Sequence, residues 1–226
     1  MLIKIPGTKE GLPAIEEAIF AGIPVNVTLL FSPEQYQATA EAYIRGVERR
    51  IDAGLNPKVG SVASLFVSRW DTAVAGKVPP ELANRLGIAI ARRAYQEYVK
   101  LLGSSRWQRA FNGGAIPQRL LFASTGTKDP KASDTLYVES LAVPLSVNTM
   151  PEATLQALAD HGKIEGVVVK DTNDNTRTLD EFVRAGVNLG ALAAQLQDEG
   201  ATSFVKSWND LLNVISSKTA ALQQAA

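Results

Sequence analysis

Short apolar runs punctuate the chain at residues 2–5, 25–31, 61–67 and 119–123, with a weaker one at 145–148, and helix-period apolar positions fill the stretches between them. The runs are dense in Val, Leu, Ile and Phe without strict polar alternation, which is the pattern of parallel strands buried on both faces. Strands of this kind alternating with helices predict βα units, hence an α/β fold built on a parallel sheet or barrel. Helix ends are equally marked. Ser32 can cap a helix that has Pro33 at its first position and Gln35 three residues past the cap, and Gly54 offers a left-handed exit. On that helix Tyr36, Ala40, Tyr43, Ile44, Val47 and Ile51 fall on one face, while Glu41, Arg45, Glu48 and Arg49 face elsewhere. Further helices are expected over 9–21, 81–102, 151–161, 179–185, 189–198 and 201–222, and loops at 112–117 and 125–133. One domain over 1–226 follows, with βα units over 1–162 and a helical C-terminal segment over 163–226.

Composition changes the expected partners more than the fold. The chain carries 23 Lys and Arg against 23 Asp and Glu, so its formal net charge is +0 and it has no basic field with which to hold a nucleic acid backbone. No run of about 18 apolar residues is present to span a bilayer. With no cysteine, disulfides, thiolate metal sites and cysteine nucleophiles are all excluded, which fits a reducing compartment; a cytoplasmic location is expected. Residues 1–6 lack the features of a signal peptide and read as a strand. The single histidine, His161, stands beside Gly162 at an expected helix end and receives no catalytic role. No Asp, Glu and His cluster has metal-ligand spacing, so no metal is predicted. Trp70, Trp107 and Trp208 read as packing residues rather than stacking platforms.

The residues able to do chemistry lie in or just after the strands. Lys4 stands between Ile3 and Ile5, where an inward ammonium is costly and needs a reason. A lysine amine in water titrates at about 10.4, and desolvation increases its neutral, nucleophilic fraction. Such an amine attacks a ketone to give an iminium, an electron sink for carbon–carbon cleavage. The alternative is a strand-end lysine in water. Asn26 and Thr28 alternate with Val27 and so share one face, as substrate-binding groups or as a satisfied polar pair in the core. Ser64 and Arg69 come from the third run and its C-terminal end, where parallel barrels build their sites and where an Arg fork suits phosphate. The competing reading of Arg69 is a surface ion pair with Asp71. Ser124, Thr125, Thr127 and Lys128 follow the fourth run in a glycine-containing loop, a natural place for an anion.

Five segments taken in order resemble the transaldolases, most closely the longer bacterial and plant type: Ile3-Lys4-Ile5-Pro6-Gly7-Thr8, Asn26-Val27-Thr28-Leu29-Leu30-Phe31-Ser32, Ser61-Val62-Ala63-Ser64-Leu65-Phe66-Val67-Ser68-Arg69, Ala123-Ser124-Thr125-Gly126-Thr127 and Val147-Asn148-Thr149-Met150-Pro151. The resemblance implies a partial (β/α)8 TIM-type barrel, about strands four to eight, with C-terminal helices. It implies a C-terminal portion that starts at the Schiff-base lysine strand. Lys4 would be that lysine, Thr28 would help position the catalytic water, and Asn26 would line the substrate channel. Ser64 and Arg69 would take the substrate phosphate, with Ser124 as a pocket residue and Lys128 standing in for a loop arginine of other family members. The implied reaction transfers dihydroxyacetone from sedoheptulose 7-phosphate to glyceraldehyde 3-phosphate in the pentose phosphate pathway, on phosphosugar substrates and with no cofactor. The family also uses an aspartate of the first strand and a glutamate of the third; acid–base help of this kind is worth about 10²- to 10⁴-fold, so impaired activity is expected of the chain alone. A homo-oligomer or a missing N-terminal barrel segment would complete the barrel. The alternatives are a fructose 6-phosphate aldolase-like enzyme and a non-catalytic barrel fragment that needs an N-terminal partner.

Overall fold

A computed structural model describes residues 1–164 and 172–224. Its frame is a parallel sheet of β1 (Ile3–Pro6), β2 (Val25–Leu30), β3 (Ser61–Phe66), β4 (Arg119–Ala123) and β5 (Val147–Asn148), laid side by side in chain order. Between the strands run α1 (Gly11–Phe20), α2 (Pro33–Asp52), α3 (Ser68–Val74), α4 (Leu86–Leu102), α5 (Ser105–Asn112) and α6 (Leu136–Ser140). After β5 come α7 (Glu152–His161), α8 (Thr172–Arg184) and α9 (Leu189–Gln224). Sequential parallel strands with helical crossovers are consistent with TIM-type winding. Among the described residues β1 and β5 each pair with one strand only, so this sheet has two free edges.

The best-marked helix forms as its sequence dictates. Ser32 Oγ accepts from the Gln35 backbone N–H at 3.2 Å, and Gln35 Oε1 accepts from the N–H groups of Phe31 and Ser32 at 2.8 and 3.3 Å, closing a capping box. Its buried Tyr36, Ala40, Tyr43, Ile44 and Val47 join Val25, Val27, Ala63 and Leu65 in an apolar layer between sheet and helices. Gly46 sets the distance to α1: a Cβ there would lie 2.8 Å from the Glu16 carbonyl oxygen and 2.8 Å from Ile19 Cβ. Gly46→Ala should therefore lower the urea midpoint without changing the slope. Overpacking against backbone costs about 1–3 kcal/mol, and the gain in helix propensity offsets about 1 of it.

A second apolar cluster sits at the C-terminal ends of the strands, where Leu29, Phe31 and Trp70 meet Leu86 of α4, Phe182 of α8, and Ala193 and Leu196 of α9. It brings the helical segment back over the strand ends. The segment differs in detail from the sequence expectation. Residues 189–198 and 201–222 form one helix through Gly200, and α8 starts at Thr172 rather than at 179. The expected helix over 81–102 divides into a 3-10 turn at Pro80–Leu82 and α4 proper, while α3, α5 and α6 are additional. The part of the helical expectation over 165–171 lies outside the described residues. Trp70 and Trp107 are buried, but Trp208 is 60% exposed on the outer half of α9 and belongs to no core. No helix of the described residues is long and apolar enough to cross a membrane.

Candidate functional site

Strand alternation decides which side chains meet. Val25 and Val27 are fully buried beneath the helices, so Asn26 and Thr28 present to the opposite face of the sheet. Parallel register sets Lys4 beside Asn26 on that face. Ser64 of β3 and Ser124, just past β4, complete the group. Lys4, Asn26, Thr28, Ser64 and Ser124 all line one cavity of about 420 Å³, together with Phe66 and Thr149.

Within it the polar groups are held unequally. Ser64 Oγ donates to Asn26 Oδ1 at 2.7 Å, which fixes the amide so that its NH2 is the side still free to donate. Thr28 is buried, yet its Oγ1 has no hydrogen-bond partner among the described residues. A buried hydroxyl left unpaired costs about 1–3 kcal/mol, so this oxygen is a standing invitation to a water or a ligand hydroxyl. Ser124 adopts φ +56, a left-handed conformation that few non-glycine residues take, and its Oγ lies 3.0 Å from Ser68 Oγ. The Ser68 N–H also donates to the Ser124 carbonyl at 2.9 Å, so α3 clamps the strained turn.

Lys4 departs from the expectation of an amine buried in the barrel. It is exposed, because β1 has no strand on its other side among the described residues and the edge opens to solvent. Its cover is the ring of Phe204 on α9, whose centroid is 5.2 Å from Nζ. Lys4 and the Asn26–Thr28 pair nonetheless share the cavity.

Arg69 lies in the first turn of α3, half-buried, with its guanidinium carbon 4.9 Å from the centroid of the Phe66 ring that lines the cavity. The ion-pair alternative is overturned. Asp71 is buried and accepts from Leu86 N–H at 2.9 Å, Gly87 N–H at 3.1 Å and Tyr137 OH at 2.9 Å, so its carboxylate serves α4 and α6. Lys128 is not brought to the site: it borders a separate cavity of about 540 Å³, along with Asn84, Asp129 and Tyr137. Thr125 ties its loop to β5, its Oγ1 donating to Asn148 Oδ1 at 2.8 Å, whereas Thr127 acts within the loop, its Oγ1 donating to the Ser133 carbonyl at 2.8 Å. His161 is exposed between Asp134 and Asp160, which hold its imidazole above the usual value.

Sequence reasoning missed Phe66, Ser68, Thr149 and Phe204 as parts of the site. Ser68 and Phe66 stood in the quoted third segment, and Thr149 in the fifth, without a role; Phe204 had no signal, because only the return of α9 over β1 brings it there. No group of three or more His, Asp or Glu side chains among the described residues is placed to hold a metal ion.

A family model described as transaldolase/fructose-6-phosphate aldolase matches residues 1–215. A transaldolase of Thermobifida fusca is 46% identical over 230 aligned positions, covering 98% of this chain and 62% of the relative. "Transaldolase 2" of Streptomyces avermitilis is 45% identical over 234 positions, covering 100% and 62%, and a transaldolase of Mycolicibacterium smegmatis is 45% identical over 222, covering 94% and 60%. The chain thus spans about three-fifths of the length of these relatives.

Proposed function

Because the chain belongs to the transaldolase/fructose-6-phosphate aldolase family, we propose that its cavity carries transaldolase chemistry: transfer of a dihydroxyacetone unit from sedoheptulose 7-phosphate to glyceraldehyde 3-phosphate, as in the pentose phosphate pathway of the cytoplasm. The same reading assigns β1 to β5 to consecutive strands of a TIM-type barrel, strands four to eight. The observation that carries it is the meeting of Lys4, Ser64-braced Asn26 and unpartnered Thr28 in one cavity.

In this reading the Lys4 amine adds to the ketose C2 carbonyl, and water leaves to give an iminium. The iminium takes up the electron pair of the C3–C4 bond as the C4 aldehyde departs and the C4 hydroxyl proton passes to a base. The resulting enamine attacks the acceptor aldehyde, the new alkoxide is protonated, and water releases the product. Thr28 Oγ1 has a vacant hydrogen bond with which to hold that water, and the Asn26 NH2 has one for a substrate hydroxyl. Arg69, backed by the Phe66 ring, supplies a permanent positive fork for the phosphate, with the hydroxyls of Ser64 and Ser124 as neutral donors.

One observation favours a second reading, that of a fructose 6-phosphate aldolase-like enzyme: the exposure of Lys4 gives water access to the enamine, which would then be released as dihydroxyacetone. Incubation with fructose 6-phosphate, with and without erythrose 4-phosphate, separates the two. Transaldolase activity yields sedoheptulose 7-phosphate only when the acceptor is present; free dihydroxyacetone at equal rates in both incubations would replace the first reading with the second.

A further inference from the structure

Resting on the Schiff-base reading of Lys4, we infer that Phe204 is a positioning residue that screens the lysine-bound three-carbon unit from solvent on one side and so biases whether that unit is transferred or released. The case starts with how α9 is seated. Ala193 and Leu196 are buried in the apolar cluster at the strand ends. Gln197 Nε2 donates to the Leu29 carbonyl at 2.9 Å and lies 3.2 Å from the Gly7 carbonyl oxygen, pinning the helix to backbone of β2 and of the turn after β1. Leu29 is available because it takes φ +60 where the β2–β3 register shifts, which takes its carbonyl out of the ladder. One turn on, Gly200 lets the helix come down: a Cβ there would sit 2.7 Å from Leu29 Cδ2. Residues 197, 200 and 204 are spaced three and four apart, so they face the sheet together, and Phe204 is the next of them to arrive above Lys4.

Beyond Phe204 the helix leaves the molecule. Val205 is 62% exposed, and every residue whose side chain is described from 205 onward is exposed. The ring, itself 38% exposed, therefore stands over Lys4 at the free edge of β1, where α9 turns away from the sheet. An aromatic face suits both states of the nitrogen, since the ammonium and the substrate iminium are each cations that a ring attracts.

The chemistry at stake is a partition of the enamine. Attack by its carbon on an aldehyde forms a carbon–carbon bond, and the alkoxide gains a proton. Protonation of the same carbon from solvent regenerates an iminium, which water splits to dihydroxyacetone and free Lys4. Shielding disfavours the second branch.

Phe204→Ala should raise the ratio of dihydroxyacetone released to ketose transferred by about tenfold in the presence of erythrose 4-phosphate. Phe204→Leu, which keeps cover without the π face, should fall between, and Trp208→Ala, one turn further out, should leave the ratio unchanged. Borohydride trapping with fructose 6-phosphate is run in parallel, as is the rate at which acetic anhydride acylates Lys4 relative to Lys9, resolved by mass spectrometry. That rate needs no turnover and should rise several-fold in Phe204→Ala. An unchanged ratio with the adduct still on Lys4 overturns the shielding role and leaves the Schiff-base reading standing. An unchanged acylation rate overturns it even where turnover is too slow to measure. No adduct on Lys4 in the unaltered chain removes the Schiff-base reading and this inference with it.

Discussion

Replacing Lys4 by Met should abolish the borohydride-trapped adduct and bring ketol transfer down to the uncatalysed level, and Lys4→Arg should do the same. The pair is informative because the two variants fail for different reasons. Met removes the nitrogen but keeps an apolar stem of similar length beneath Phe204. Arg keeps a cation in the same place against the same ring, yet its guanidinium stays protonated at any accessible pH and forms no imine. If charge alone mattered at this position, Arg would preserve function. If a covalent nitrogen matters, neither will. Lys4 is an exposed residue on an edge strand, so both substitutions should leave the thermal midpoint within a degree or two, since surface changes of this kind usually stay within about 0.5 kcal/mol. Mass spectrometry of the trapped protein checks the assignment directly. An adduct on Lys9 or Lys128 in place of Lys4 would sink it.

The strands were readable because parallel strands concentrate apolar residues, and that signal is local: β4 falls where the apolar run at 119–123 put it, and the others within two residues of their runs. The helix opened by Ser32 was readable because its cap, first-turn proline and periodic face all agree. Short helices were not. α3, α5 and α6 have five to eight residues, too few for a periodic face to stand out, and are fixed by tertiary contacts: Trp70 Nε1 donating to the Phe31 carbonyl, Arg106 pairing with Glu48 of α2, and Tyr137 OH donating to Asp71. Gly200 looked like a helix break because glycine weakens helices, but in the fold its missing side chain is what lets one long helix touch Leu29. At the site, Lys4, Asn26, Thr28 and Ser64 are close because strand alternation puts them on one face, which the sequence carries. Solvent exposure of Lys4 depends on what stands beside β1, and the turning of Lys128 toward a different cavity depends on the path of a loop; neither is written in local pattern.

Asp71→Ala should be the most destabilising of the substitutions considered, by about 2–4 kcal/mol. Its carboxylate joins three elements: it caps the first turn of α4 through Leu86 and Gly87, and it receives the Tyr137 hydroxyl of α6 while itself riding on α3 beside Arg69. Truncation leaves three buried donors without an acceptor, at about 1–3 kcal/mol each, and the neighbouring cavity admits water that recovers part of this. The Asp71→Asn variant isolates the charge. Burial pushes the Asp71 carboxyl from 3.8 up to about 6, a rise that the hydrogen bonds from Tyr137, Gly87 and Leu86 only partly counter. A folded-state pKa above the unfolded one means that the native chain binds the extra proton between these values. The proton-linked part of the stabilisation from this group is therefore complete below pH 3.8, shrinks as pH rises toward 6 and is gone above it, a swing on the order of 3 kcal/mol. Glu16 and Glu48, held below the usual range by Arg45 and Arg106 respectively, act in the opposite direction but identically in both proteins. Urea midpoints at pH 4, 5, 6 and 7 for the parent and for Asp71→Asn should give a stability difference that moves against the parent as pH rises. A difference that is flat with pH would mean that the three donors hold Asp71 ionised in the fold, with hydrogen bonding outweighing desolvation.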